Sequence, residues 1–162
     1  MKNGLIFLVF LMLFSCKETG KNKVNKKESL KAVLTTLVDL NGKAVEISKY
    51  SEKKVFVNYW ATWCAPCKEE MPSLLALQKM MLPENYVFLL VSDESISQIS
   101  EFKNKMNYDF IFLKSNKTFS SQGIYALPTT FVFNKKGEEK EKIVGIQSWT
   151  SKKMIHKLKS IK

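Results

Sequence analysis

The chain has 162 residues, 45% of them apolar, which suits one domain with a core of its own plus a short extension. Three cysteines are too few for a disulfide-stapled mini-protein, so burial must hold the fold together. The net charge of +11 comes entirely from lysine. Without arginine the forked contacts that read guanine and grip phosphate are missing, so the charge reads as a solvated surface and nucleic acid is not an expected partner.

Met1, Lys2 and Asn3 make a short positive start, and residues 4–14 are apolar or glycine without a break. A helix of that length spans about 16 Å against about 30 Å of bilayer core, too short to cross comfortably but suited to the h-region of a secretory signal. Leu13-Phe14-Ser15-Cys16 then resembles a bacterial lipobox. The resemblance implies a signal over residues 1–15, lipid on Cys16 and anchoring to the outer side of a bacterial membrane. The alternative is an ordinary secretory signal with an incidental cysteine. Residues 17–29 are polar with almost no bulky apolar side chain, so they cannot bury enough to order themselves. The expected organisation is signal 1–15, flexible tether 16–30 and a single domain over 31–162, with no internal repeat.

Residues 34–40 look strand-like, Asn41-Gly42 is a hairpin turn signal, and residues 44–47 return. Residues 54–60 (KVFVNYW) are mostly apolar on both faces, as in a buried central strand. From Cys67 the pattern turns helical, with Met71, Leu74, Leu75 and Leu82 on one face and Pro72 expected to kink it. Residues 86–91 form an apolar strand, Ile96, Ile99, Phe102 and Met106 space as an amphipathic helix, and residues 110–113 form a short strand. A short helix is expected over residues 115–124. Residues 129–133 and 142–146 make a hairpin around Lys135-Lys136-Gly137, and residues 149–161 a closing helix that buries Ile155, Leu158 and Ile161. This alternation argues an α/β fold with a mixed sheet flanked by helices.

Trp63-Cys64-Ala65-Pro66-Cys67 lies where the central strand gives way to a helix. A two-residue gap lets both sulfurs meet at the first turn, where unpaired N–H groups and a partial positive charge favour a thiolate. Cys64, expected at the exposed end of the turn, would attack a disulfide, and Cys67, one turn inward, would break the mixed disulfide. Half of a zinc site is the first rival, but only Cys16 and His156 remain as further Cys or His ligands, and His156 reads as a surface residue of the last helix. The second is a static disulfide, which over so short a loop stabilises little. A metal ion is therefore not expected, nor any cofactor beyond the redox-active pair. Trp60 reads as core, and Trp63 as part of an apolar docking surface.

The segment Trp60-Ala61-Thr62-Trp63-Cys64-Ala65-Pro66-Cys67-Lys68 resembles the thioredoxin signature, Pro72 matches that fold's helix proline, and Gly123-Ile124-Tyr125-Ala126-Leu127-Pro128-Thr129 resembles the segment that holds its cis-proline. The likeness runs over residues 34–161. It implies a thioredoxin fold, with an N-terminal β-hairpin extension and a helical insert, and a cis Pro128 against the disulfide. X-Pro is the one bond type for which cis is cheap. Asn58 stands where cytoplasmic thioredoxins have a buried Asp, and Glu70 follows Cys67 by three residues on the same helical face. That exchange, the signal segment and the insert resemble the membrane-anchored TlpA/ResA-type oxidoreductases. From them follow Glu70 as a residue that tunes the cysteines, and Trp63, Ala65, Pro66 and Leu127 as substrate-binding positions. The expected partners are protein dithiols and disulfides, with a membrane electron donor if the chain reduces, as in cytochrome c maturation. The chain itself is expected to be a monomer. Alternatives are a peroxiredoxin-like peroxidase and a copper-assembly protein of thioredoxin fold.

Overall fold

The structure, a computed structural model, describes residues 29–162. The signal, Cys16 and nearly all of the tether lie outside the described residues. Leu30 is buried, and its N–H donates to Gly137 O at 3.0 Å.

Six strands form one sheet in the order β1-β4-β3-β2-β5-β6. They are β1 Leu37–Val38, β2 Lys54–Tyr59, β3 Tyr86–Ser92, β4 Ile111–Ser115, β5 Thr129–Phe133 and β6 Glu139–Val144. The central β2–β3 and β3–β4 pairs are parallel, and β1, β5 and β6 join antiparallel. The helices are α1 Leu30–Leu34, α2 Ala65–Met81, α3 Ile96–Met106 and α4 Lys152–Lys159.

The period-two alternation of β2 builds a core on each face. Val55, Val57 and Tyr59 join Leu89, Val91 and Phe133 under α1, while Phe56 and Trp60 join Met71 of α2, Ile99 of α3 and Leu158 of α4. Phe56 stacks on Phe88 at 4.5 Å between ring centres. Asn58 lies between Phe56 and Trp60 in the strand, so its side chain faces α2.

Several local expectations need correction. Residues 30–34 are helical, because Ser29 Oγ accepts from the Ala32 N–H and the spacing of Leu30, Val33 and Leu34 buries one stripe. The strand after it is therefore only Leu37–Val38, and the arm returning from Asn41-Gly42 is the single bridge Val38–Ala44. Leu82 falls just past α2 in a 3₁₀ turn and is 62% exposed; Leu77 and Met81 complete the buried face instead. The helix expected over 115–124 shrinks to a 3₁₀ turn at Ser120–Gln122. Ser115 lies in β4, and the Ser115, Thr118 and Ser121 hydroxyls bond to nearby backbone in place of helix. The last strand ends at Val144, and α4 starts at Lys152, where Ser151 Oγ accepts from the Met154 N–H. Among the described residues, no helix is long and apolar enough to cross a membrane.

Candidate active site

The site forms where β2 ends and α2 begins. Cys64 is the N-cap of α2 in extended conformation, and Pro66 sits in the first turn, where its missing N–H costs nothing. Cys64 and Cys67 are joined as a disulfide with their Cα atoms 5.3 Å apart. The Cys67 N–H donates to Cys64 Sγ at 3.3 Å, so one of the helix's unpaired donors faces that sulfur. Cys64 is not at an exposed end: it is 4% exposed and Cys67 1%, because Cys64 Sγ folds back over the first turn. Cys64 remains the more accessible of the two.

Trp63 stands beside them, 71% exposed, with Ala65 and Pro66 also on the surface. The peptide bond Leu127–Pro128 is cis; Pro128 is buried and Leu127 half-buried, packed against both cores. The Gly145 N–H donates to Pro128 O at 2.8 Å, tying this loop to the end of β6. Tyr125, 84% exposed, lies three residues before Pro128 and is a surface aromatic that the sequence did not single out.

Glu70 is buried, 2% exposed, and is not a surface carboxylate of the first helical turns. Asn58 Nδ2 donates to Oε1 at 3.0 Å, and Trp149 Nε1 donates to Oε2 at 2.9 Å, with the Gln147 N–H at 3.4 Å from the same oxygen. Asn58 also donates to Thr130 Oγ1 at 3.0 Å, across the β2–β5 register that sets these two residues opposite each other. Burial raises the Glu70 carboxyl above the ordinary range, against the pull of the three donors. Such a carboxyl can take up or release a proton nearer neutrality than an exposed glutamate. It lies one helical turn beyond Cys67 on the same buried face.

A second carboxylate holds the loop before the cysteines. Glu94, just past β3, accepts from the Thr62 N–H at 2.7 Å and from Thr62 Oγ1 at 2.6 Å, with Ser92 Oγ at 3.0 Å. Neither Glu94 nor Trp149 carries a signal that sequence spacing alone reveals, since their partners are 32 and 79 residues away. His156 is exposed on α4 and Trp60 fully buried.

The Redoxin family matches residues 23–159, most of the chain. The chain belongs to the Redoxin family. Among curated members, this Redoxin chain is 32% identical over 161 residues to the thiol-disulfide oxidoreductase ResA of Bacillus cereus, covering 91% of each, and 30% identical over 159 residues to the thioredoxin-like protein YneN of Bacillus subtilis, covering 95% of this chain and 92% of that one. Its fold is similar to a thiol:disulfide interchange protein DsbE from Chlorobium tepidum, with a TM-score of 0.69 at 17% identity over 84% of this chain and 99% of that chain. StoA from Bacillus subtilis gives a TM-score of 0.59 at 19% identity, covering 78% of this chain and 96% of that chain. This Redoxin is thus a ResA-type thioredoxin-like oxidoreductase of thiols and disulfides.

Proposed function

We propose that the chain reduces disulfides of protein substrates outside the cytoplasm, with Cys64 as nucleophile, Cys67 as resolver and Glu70 as proton acceptor. The observation that carries this reading is the buried Glu70 carboxylate, held by three N–H donors one turn beyond Cys67. In the reducing direction the Cys64 thiolate attacks one sulfur of the substrate disulfide and the other leaves as a thiolate. Cys67, having lost its proton to Glu70, then attacks Cys64 Sγ and expels the second substrate thiolate. The substrate gains two electrons and two protons, and the Cys64–Cys67 bridge closes. A membrane dithiol donor reopens it, and no cofactor beyond the pair takes part.

Trp63, Ala65, Pro66 and Leu127 form the surface where the substrate polypeptide docks, around the proline of the cis Leu127–Pro128 bond, which offers no N–H. Apocytochrome c before haem attachment is a substrate that such a reductant would serve. The sequence of residues 1–16 supports export and a lipid on Cys16.

The test is trapping. Cys67→Ser should accumulate mixed disulfides with substrate proteins and Cys64→Ser should not; equal trapping by both would reverse or void the assignment of roles. For the anchor, Cys16→Ala should release the protein from membranes or leave an unprocessed precursor. Unchanged attachment with the same mature mass would remove Cys16 from the reading.

A further inference from the structure

Trp149 lies in the segment between β6 and α4, fully buried, with its ring edge-on to Phe56 at 5.0 Å between centres. Its indole N–H reaches across to α2 and donates to Glu70 Oε2 at 2.9 Å. Two more residues of the same segment touch the site: the Gln147 N–H approaches Glu70 Oε2 at 3.4 Å, and the Gly145 N–H donates to Pro128 O at 2.8 Å. Three residues within this five-residue stretch, Gly145, Gln147 and Trp149, thus hold both the buried acid and the proline loop.

The groups that face Glu70 are Asn58 from β2 and Gln147 and Trp149 from this segment, none of them charged or titrating near neutrality. On α2 itself the titrating neighbours are the thiols of Cys67 and Cys64 once the bridge is open, while Lys68 and Glu69 are exposed. Among the described residues no charged partner therefore offsets the burial of the carboxylate; only N–H donors do. An indole nitrogen is a donor and never an acceptor. A carboxyl hydrogen placed on the pair of Oε2 that faces Trp149 would meet another hydrogen. Asn58 fixes Oε1 by the same logic, through the amide hydrogen it donates there.

We propose that Trp149 is a positioning residue for Glu70: its indole N–H pins one carboxylate oxygen, holds the group in its proton-accepting form and confines an incoming proton to the lone pairs the donors leave open. The catalytic consequence rests on Glu70 handling the Cys67 proton; the pinning does not. Loss of that one donor removes a hydrogen bond to a charged group that has no counter-ion among the described residues. Ionisation of Glu70 should become about tenfold harder, moving its midpoint upward by about one pH unit.

The measurement is ¹³C NMR of the glutamate carboxyls in the full chain with the Cys64–Cys67 bridge closed, so that neither thiol titrates. Glu70 is assigned by the signal lost in Glu70→Gln. Trp149→Phe, and separately replacement of Trp149 by benzothienylalanine, which keeps the indole's shape but has no N–H, should each raise the Glu70 midpoint by about one pH unit. In the reduced protein the pH profile of thiol alkylation should move in the same direction. An unmoved Glu70 midpoint in the benzothienyl variant overturns the proposal, and that variant serves even where the smaller Phe fails to fold. A midpoint that moves as expected, beside an alkylation profile that Glu70→Gln does not alter, upholds the pinning and strikes only the proton-handling role.

Discussion

Glu70→Gln separates the charge of the buried acid from its shape. The carboxylate accepts from Asn58, Trp149 and the Gln147 N–H, and the glutamine amide can satisfy only part of that set, because its NH₂ faces a donor where an oxygen stood. A buried donor left without a partner costs about 1–3 kcal/mol, but in acid the protonated wild-type carboxyl carries a comparable mismatch, so the two proteins should differ there only by the difference between the two penalties. Burial raises Glu70 in the folded protein above its ordinary value of 4.5. Between that value and the raised one the folded state holds a proton that the unfolded chain has released. Wild-type stability contributed by this group is therefore full below 4.5 and is lost as pH rises through the folded value, at about 1.4 kcal/mol for each pH unit that separates the two. Glu70→Gln has no such slope, so it should gain on wild type as pH rises, read by urea unfolding of the oxidised proteins at about pH 4 and about pH 8. In function, removing the proton acceptor should slow disulfide reduction by about 10- to 100-fold, at or just below the usual range for a general base, and flatten the pH dependence of iodoacetamide alkylation. Superimposable alkylation curves, equal rates and a stability difference independent of pH would together reduce Glu70 to a structural hydrogen-bond acceptor.

Two further substitutions probe the rim of the site. Trp63→Ala removes a side chain that is 71% exposed, so stability should change by no more than about 0.5 kcal/mol. If Trp63 docks substrate, kcat/KM with a protein disulfide should fall about tenfold while reaction with a small disulfide holds; parallel losses on both would deny it a docking role. Glu94→Ala strips the acceptor from the Thr62 N–H and hydroxyl and should cost about 1–3 kcal/mol. It should also speed hydrogen exchange at the Thr62 amide, and unaltered protection there would show that Glu94 does not hold the loop.

The disulfide pair and the residues beside it were legible in the sequence because they are local. A C-x-x-C pair at a strand-to-helix junction, a glutamate three residues on and a Leu-Pro before a strand are short-range facts, and Cys64, Cys67, Glu70 and Pro128 all stand in the site. The central strand and the three longer helices were also readable, since period two and period 3.6 differ over six or more residues. The short pieces were not. Leu30–Leu34 and Ser120–Gln122 are too brief for a period to show, and caps and hydroxyl bonds decide them.

What surrounds the cysteines could come only from the tertiary structure. Glu70 and an exposed first-turn carboxylate have the same sequence; it is the approach of β2 with Asn58, and of the segment before α4 with Gln147 and Trp149, that buries the group and supplies its donors. Glu94 reaches Thr62 across 32 residues because the parallel pairing of β2 and β3 brings their C-terminal ends side by side. The sequence alone set the C-x-x-C pair and its glutamate side by side. The fold decided what solvates them, because desolvation and hydrogen bonding in a buried site depend on neighbours that the chain order does not place together.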